Sequence, residues 1–364
     1  MRKRIKKLGI IMPVIIILAV SAAIFITIYT NKPDLGKQDG AGNDNCIEIW
    51  NTAAGNHSGS KLDDMNIDFN SSWEDSAAGF YRSIPGAVYQ DVERNMDTYT
   101  YFHEIQAGYE QETYEDQPYM IPYPAEGSDC AVIVIPGGGY GYKSMDGSGA
   151  EGHDVAVTLQ KHGINAFVLH YRSNPYEYPI PQLDVQRAVR YLKANADGYG
   201  INPAKIGLLG FSAGGYQAGS YINLVQGRDL FPDGYTPDEI DKIDDSIAAP
   251  AMIYPALTFR CNVGMLFCIF DDEDVRDAGK REELLDMLDL KQCLDHSANL
   301  PQFISYGTAD TVVGDGPKEY IAAAQAAGID VTIAIAEGKN HAYGQDYYME
   351  QYLEWIKEIF GKVS

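Results

Sequence analysis

A serine lies between two glycines in Gly210-Phe211-Ser212-Ala213-Gly214, the spacing G-x-S-x-G. The residues before it, Lys205 to Gly210, predict a short strand, and a helix is predicted from Ala213. A serine on so tight a turn needs small neighbours two residues away, because larger side chains would collide with the flanking strand and helix. This context predicts a nucleophile. The alternative is a glycine-rich turn without catalysis, since the chain has 36 glycines.

Two further residues have the types that activate a serine. Asp310 follows the predicted strand Gln302 to Tyr306, and His341 follows the predicted strand Val331 to Ala336. Parallel strands end at the same edge of a sheet, so both side chains are expected to meet Ser212 there. An imidazole can take the hydroxyl proton, and a carboxylate can orient the imidazole. The sequence therefore predicts a Ser-His-Asp triad.

Three glycines in Pro136-Gly137-Gly138-Gly139-Tyr140 close the predicted strand Ala131 to Ile135. Backbone without side chains can bring N–H groups close to a developing oxyanion. The N–H groups of Gly138 and Gly139, with that of Ala213, are the predicted oxyanion donors. A phosphate cradle is the alternative, and it is disfavoured because no Gly-Lys-Ser/Thr sequence follows the glycines.

The chain has 26 tyrosines, and a group of them lies in segments expected to border the site. Sugar rings stack on aromatic faces, so Tyr140, Tyr171 and Tyr216 are predicted to contact substrate, with packing as the alternative. His153, His170 and His296 have no partner at a strand end and are read as structural or exposed. The acidic run Asp271 to Asp274 lacks the glycine and distal glutamate of a calcium loop, and no metal or cofactor is predicted.

Strands alternate with helices from about residue 98, which predicts an α/β fold with a mostly parallel central sheet and helices on both faces. An irregular insert is expected at 257–299. The predicted strands are Thr98 to Gln106, Pro118 to Tyr123, Ala131 to Ile135, Ile164 to Leu169, Lys205 to Gly210, Ala251 to Tyr254, Gln302 to Tyr306 and Val331 to Ala336. The predicted helices are Ala150 to His162, one containing Val185 to Leu192, one from Ala213, Gly316 to Ala327 and Gln345 to Phe360.

The N-terminus differs from the rest of the chain. Five basic residues among the first seven precede Leu8 to Tyr29, an apolar run about long enough to cross a ~30 Å hydrocarbon core. It is expected to be an uncleaved membrane anchor or a cleaved signal peptide, with the chain after Thr30 on the outer face. The predicted divisions are 1–30 for this segment, 31–45 for a flexible tether, 46–97 for an extension or small module, and 98–364 for a catalytic domain.

The formal net charge is -23, although the N-terminus is basic. The electrostatic field of so negative a chain repels phosphate backbones, so we do not expect this protein to bind nucleic acid. Five cysteines form no metal-ligand spacing, and most are read as isolated thiols. The sequence gives no expectation for the oligomeric state.

These motifs resemble those of carbohydrate esterases of the acetylxylan esterase and bifunctional feruloyl/acetyl esterase type, within the α/β-hydrolase superfamily. The resemblance spans roughly residues 98 to 364. It rests on Val134 to Tyr140, Ala166 to Arg172, Asp184 to Asn195, Ile206 to Gly215, Gly307 to Asp310 and Glu337 to His341.

The resemblance implies a serine esterase that removes short acyl groups, acetyl above all, from xylan-type polysaccharide or oligosaccharide without a metal. Two alternatives remain at this stage. One is a serine peptidase of the prolyl oligopeptidase type, although no repeat array for a propeller is evident. The other is a glycan-binding surface protein without catalysis.

Overall fold

A single sheet organises the residues that the computed structural model describes, which are 46–55, 59–68, 71–82, 118–141, 143, 151–294 and 300–363. Eight strands of these residues pair in the order β1-β2-β4-β3-β5-β6-β7-β8. The strands are β1 Ile47–Glu48, β2 Tyr119–Tyr123, β3 Ala131–Ile135, β4 Asn165–His170, β5 Ile206–Phe211, β6 Ala249–Ile253, β7 Gln302–Gly307 and β8 Val331–Ala336. All described residues fall within one compact unit, Ala41–Ser364.

Helices follow most of the strands. The α-helices of the described residues span 73–82, His153–Lys161, Ile180–Ala194, Ala196–Tyr199, Ala213–Ser220, Asp272–Arg276, Ala278–Met287, Gly316–Ala326 and Met349–Lys362. Their amphipathic character is clear in Met349–Lys362, whose apolar side chains are buried while its Lys and Glu residues lie in solvent.

The central strands β3, β4, β5 and β6 are buried at every position. Successive side chains of a strand point to opposite faces, so both faces of the sheet are covered at its centre. Strands β3 to β8 pair in parallel, whereas β1 and β2 are antiparallel to their neighbours. The predicted α/β fold with a mostly parallel sheet is confirmed.

The segment expected to be irregular, 257–299, is helical over most of its described part. Two 3-10 helices, Phe259–Cys261 and Val263–Cys268, lead into the α-helices Asp272–Arg276 and Ala278–Met287. The Asp271 side chain caps the helix Asp272–Arg276 by accepting from the Glu273 N–H at 3.1 Å, so the acidic run begins a helix. The helix expected from Ala150 begins at His153.

The described part of the predicted extension packs against the main domain. β1 extends the sheet through β2, and the Trp50 indole donates to the Asp184 carboxylate at 3.0 Å. Further along, Asp75 pairs with Arg276 at 2.7 Å. These contacts favour an extension over a separate module.

Three expectations about chain segments concern residues outside the described ranges. They are the strand Thr98 to Gln106, the membrane segment Leu8 to Tyr29 and the tether at 31–45. Within the described ranges, no helix has the length and apolar character that crossing a bilayer requires.

Candidate active site

Ser212 lies directly after β5 in a strained backbone conformation, with φ 52° and ψ -114°. The two flanking glycines make this turn possible. A Cβ on Gly210 would lie 2.0 Å from the Gly214 carbonyl oxygen, and a Cβ on Gly214 would lie 2.0 Å from the Ile135 carbonyl oxygen. The helix Ala213–Ser220 starts at once, so the serine side chain lies at the strand-to-helix turn that the sequence predicted.

The three side chains of the predicted triad meet at one edge of the sheet. The Ser212 Oγ lies 2.8 Å from the His341 Nε2. The His341 Nδ1 lies 2.8 Å from the Asp310 Oδ2. Both distances are those of hydrogen bonds, and they form one continuous chain from hydroxyl to carboxylate. The structure therefore brings together residues that are 129 and 31 positions apart.

The Asp310 carboxylate is nearly inaccessible, with 1% of its side chain exposed. Burial alone would raise its pKa. Hydrogen bonds from His341 and from the backbone N–H groups of Val312 and Val313 outweigh burial and hold the pKa of Asp310 below its usual 3.8. The carboxylate is thus ionised at neutral pH, as an acceptor for the imidazole N–H must be.

Asn340 ties the two loops that carry Asp310 and His341. Its Oδ1 accepts from the backbone N–H of Thr311 at 2.9 Å and from that of His341 at 2.8 Å. A second tie joins the Thr308 hydroxyl to the Gly338 N–H at 2.7 Å. The sequence alone did not predict these hydrogen bonds, because asparagine is common in ordinary turns.

The glycine loop after β3 runs beside Ser212. A Cβ on Gly137 would lie 2.8 Å from the Ser212 Cβ, which shows how closely the loop approaches the serine. Gly138 and Gly139 have φ of 130° and 61°, and Tyr140 continues the positive values at 65°. Among the described residues, none accepts a hydrogen bond from the backbone N–H of Gly138, Gly139 or Ala213.

The three tyrosines expected to stack on a sugar need a correction. Tyr140, Tyr171 and Tyr216 are each 0% exposed. The Tyr171 hydroxyl donates to the Pro136 carbonyl at 2.8 Å, and the Tyr216 hydroxyl donates to the Leu288 carbonyl at 3.1 Å. Their rings pack edge-on or tilted with one another and with Phe259, so no face is open to substrate. They stabilise the loops around the site from within the core.

Two residues beside the site were not singled out from the sequence. The Glu151 carboxylate accepts from the Gly137 N–H at 2.8 Å and from the Tyr254 hydroxyl at 3.0 Å. The Tyr254 ring lies 5.0 Å from the His341 ring, at an interplanar angle of 63°. No local pattern marks either residue, because each reaches the site only through packing of distant segments.

The remaining candidates have structural surroundings. His153 Nδ1 is 2.8 Å from the Tyr123 hydroxyl, and burial lowers the pKa of His153. His170 stacks on Tyr119 with ring centroids 4.6 Å apart, and His296 lies outside the described residues. Cys130, Cys261, Cys268 and Cys293 are free thiols. In the described ranges, no group of three or more His, Cys, Asp or Glu is placed to hold a metal ion.

Part of the chain that contains this site is similar to a known protein family. Residues 119–229, which include the glycine loop and Ser212, match the BD-FAE family model. Over 109 residues the chain is 39% identical to an acetylxylan esterase of Xylanibacter ruminicola, covering 30% of this chain and 22% of that protein. Over 96 residues it is 40% identical to endo-1,4-beta-xylanase B of Butyrivibrio fibrisolvens, covering 25% of this chain and 14% of that protein. The chain thus matches less than a quarter of the length of either relative.

Most of the fold is also found among solved structures. An acetyl ester-xyloside bifunctional hydrolase from Caldicellulosiruptor lactoaceticus superimposes with a TM-score of 0.57, over 70% of this chain and 92% of that chain. The identity is 24%, so this likeness concerns the fold. The resemblance expected from the sequence motifs is confirmed, and its family match covers a shorter range than expected. Residues 119–229 are thus similar to the BD-FAE family, and they lie within a larger α/β fold that resembles that of a hydrolase of known structure.

Proposed function

We propose that this protein is a serine carboxylesterase that hydrolyses short acyl esters, acetyl esters above all, on xylan-type carbohydrate. The observation that carries the proposal is the chain of two 2.8 Å contacts from Ser212 through His341 to Asp310. The BD-FAE match and the acetylxylan esterase relative support ester hydrolysis as the reaction.

In the acylation step, the His341 Nε2 takes the proton of the Ser212 hydroxyl as the oxygen attacks the acyl carbon. The negative charge that forms on the carbonyl oxygen is stabilised by the N–H groups of Gly138, Gly139 and Ala213. Asp310 accepts the Nδ1–H bond and stabilises the imidazolium. The imidazolium then gives its proton to the leaving alcohol.

Deacylation repeats the same steps with water. His341 takes a proton from the water, whose oxygen attacks the acyl-enzyme carbon, and it returns a proton to the Ser212 oxygen as the acid leaves. The oxyanion donors act again at the second tetrahedral intermediate. All the proton transfers pass through one imidazole, so the reaction needs no metal-bound water.

The location of the reaction is also part of the proposal. We place the catalytic domain on the outer face of the membrane, anchored by the segment Leu8 to Tyr29 or released after its cleavage. The basic residues before that apolar run support this orientation.

The test is hydrolysis by the full chain of three substrates: 4-nitrophenyl acetate, acetylated xylan and a prolyl peptide anilide. We expect release of 4-nitrophenol and acetate, and no cleavage of the anilide. Ser212→Ala should lower kcat by at least ~1,000-fold, because the nucleophile is lost. Its fold, followed by circular dichroism, should be unchanged.

Other outcomes point elsewhere. Ester hydrolysis that persists in Ser212→Ala would exclude this site as the source of the activity. Cleavage of the anilide in place of the esters would identify a peptidase.

A further inference from the structure

A buried carboxylate connects the two sides of the candidate active site. Glu151 is 4% exposed, and its two oxygens accept from different elements. The Oε2 accepts from the Gly137 N–H at 2.8 Å, at the start of the glycine loop. The Oε1 accepts from the Tyr254 hydroxyl at 3.0 Å, beside the imidazole. Ser212 lies at the end of β5, which is between β3 and β6 in the sheet.

The glycine loop has a backbone that needs such a contact. Gly138, Gly139 and Tyr140 have consecutive positive φ values, which cost conformational energy, most of all at the tyrosine. The far end of the loop is fixed by the Asn174 N–H, which donates to the Tyr140 carbonyl at 2.9 Å. At the near end, the Gly137 N–H donates to the Glu151 carboxylate. This bond fixes the orientation of the peptide immediately before the oxyanion donors.

The other oxygen of Glu151 fixes a wall of the site. Tyr254 also has a positive φ, 36°, and its N–H donates to the Ser305 carbonyl at 2.7 Å. Its ring is buried, contacts the His341 ring edge-on and lies 4.9 Å from the Tyr343 ring. A shift of the Tyr254 hydroxyl would therefore move the surface on which the imidazole rests.

We propose that Glu151 is a positioning residue for acyl transfer, which holds the oxyanion loop at Gly137 and the imidazole wall at Tyr254 in one fixed arrangement. This inference rests on the proposed serine hydrolase function. Glu151 acts through the groups that it binds.

The protonation of the partners agrees with this geometry. Burial raises the pKa of Tyr254 well above its usual 10.0, so its hydroxyl remains a donor at neutral pH. Burial also raises the pKa of Glu151 above 4.5, and the bonds from Gly137 and Tyr254 oppose that rise. Both carboxyl oxygens have a donor, which is the condition for burying this group without a large cost.

The experiment measures the rate at which a fluorophosphonate probe labels Ser212 in the full-length protein. Labelling needs the serine, the imidazole and the oxyanion donors, but no particular acyl or glycan group. We expect Glu151→Ala to slow labelling ~10-fold to ~100-fold, less than the loss of a whole oxyanion donor. Glu151→Gln should restore the rate to within about threefold of wild type, because its oxygen can accept from Gly137 and its amide can donate to Tyr254.

A matched control separates positioning from general stability. Asp245 is also a buried carboxylate, 4% exposed, that accepts from a backbone N–H, that of Gly227 at 3.0 Å, and from the Gln186 side chain at 2.7 Å. We expect both Asp245→Ala and Glu151→Ala to lower Tm, because each removes a buried hydrogen-bond acceptor. Only Asp245→Ala should leave the labelling rate of the folded protein unchanged. Tyr254→Phe keeps the ring and removes only the hydroxyl, so it tests the link even if Glu151→Ala does not fold. We expect it to label about three- to tenfold more slowly.

Labelling of Glu151→Ala or Tyr254→Phe at the wild-type rate would overturn the proposal. So would a folded Glu151→Gln that is as slow as Glu151→Ala, since hydrogen bonding would not then explain the effect. If wild type hydrolyses no ester yet labels normally, while Glu151→Ala labels slowly, the ester hydrolase proposal fails and the role of Glu151 stands.

Discussion

Asp310 receives three hydrogen bonds at once, from His341 Nδ1 and from the backbone N–H groups of Val312 and Val313. An amide in its place would keep the shape but remove the charge that stabilises the imidazolium. Asp310→Asn should therefore lower kcat for 4-nitrophenyl acetate by ~1,000-fold to ~10,000-fold. Asp315→Asn is the control, because among the described residues the Asp315 carboxylate accepts only from the exposed Lys318 of the following helix, and its loss should leave kcat unchanged. Equal turnover by the two variants would remove Asp310 from the mechanism.

The same carboxylate predicts a pH dependence of stability. The folded-state pKa of Asp310 is below 3.8, so its ionised form stabilises the fold above that value. This contribution is lost as the pH falls through the lowered pKa. The difference in unfolding free energy between wild type and Asp310→Asn should therefore shrink between about pH 7 and about pH 3. Urea denaturation at both values measures it, and a difference that widens in acid contradicts the assignment.

At the scale of elements, the glycine loop depends on the helix at residues 73–82. A Cβ on Gly139 would lie 2.6 Å from the Tyr81 ring, and Gly139 has φ of 61°. Tyr81 is 3% exposed and also packs closely against Gly264. A residue of the extension thus packs directly against the predicted oxyanion loop.

Gly139→Ala should consequently move the loop, because the new methyl group collides with a ring that has little room to shift. We expect kcat for 4-nitrophenyl acetate to fall at least ~10-fold, as an oxyanion donor is displaced. Gly127→Ala is the matched control. Its φ of 74° imposes similar backbone strain, about 1 kcal/mol, but nothing lies within 4 Å of the added Cβ. If both variants lose only stability and neither loses activity, the close contact with Tyr81 has no role in catalysis.

For the molecule as a whole, the extension stabilises the fold through Trp50. Its ring is 5% exposed, and the guanidinium groups of Arg187 and Arg172 lie 4.7 Å and 5.9 Å from the ring centroid. Its N–H bonds the Asp184 carboxylate, which also pairs with Arg172 at 2.7 Å. Removing the ring leaves a cavity beside a buried ion pair.

Trp50→Ala should therefore lower the unfolding free energy by about 3–5 kcal/mol. Trp73→Ala provides the comparison, since Trp73 is 47% exposed and the Arg281 guanidinium lies 4.7 Å from its ring centroid. That change should cost less than about 1 kcal/mol. Urea denaturation of both variants gives the two values. A small effect of Trp50→Ala would mean that the extension contributes little to global stability.

The sequence by itself determined the main strands from Ala131 onward and the identity of the three residues that meet at the sheet edge. It did not predict the strand Ile47–Glu48 or the helices within 257–294. The features that it predicted have local causes. A short apolar, β-branched run such as Ala131–Ile135 is typical of a central strand buried on both faces. Gly210 and Gly214 are needed because a Cβ at either position would collide with backbone at this tight turn. The parallel sheet then fixes the edge at which Asp310 and His341 must lie.

Only the tertiary structure decided which further side chains serve the site. Tyr140, Tyr171 and Tyr216 lie in segments near it, but long-range packing buries them, and local sequence cannot report packing. Glu151 bonds Tyr254 across 103 positions of chain, and Trp50 bonds Asp184 across 134. Such contacts arise when helices, strands and loops pack together in three dimensions. A sequence pattern indicates only the secondary structure of a segment and which of its faces is apolar.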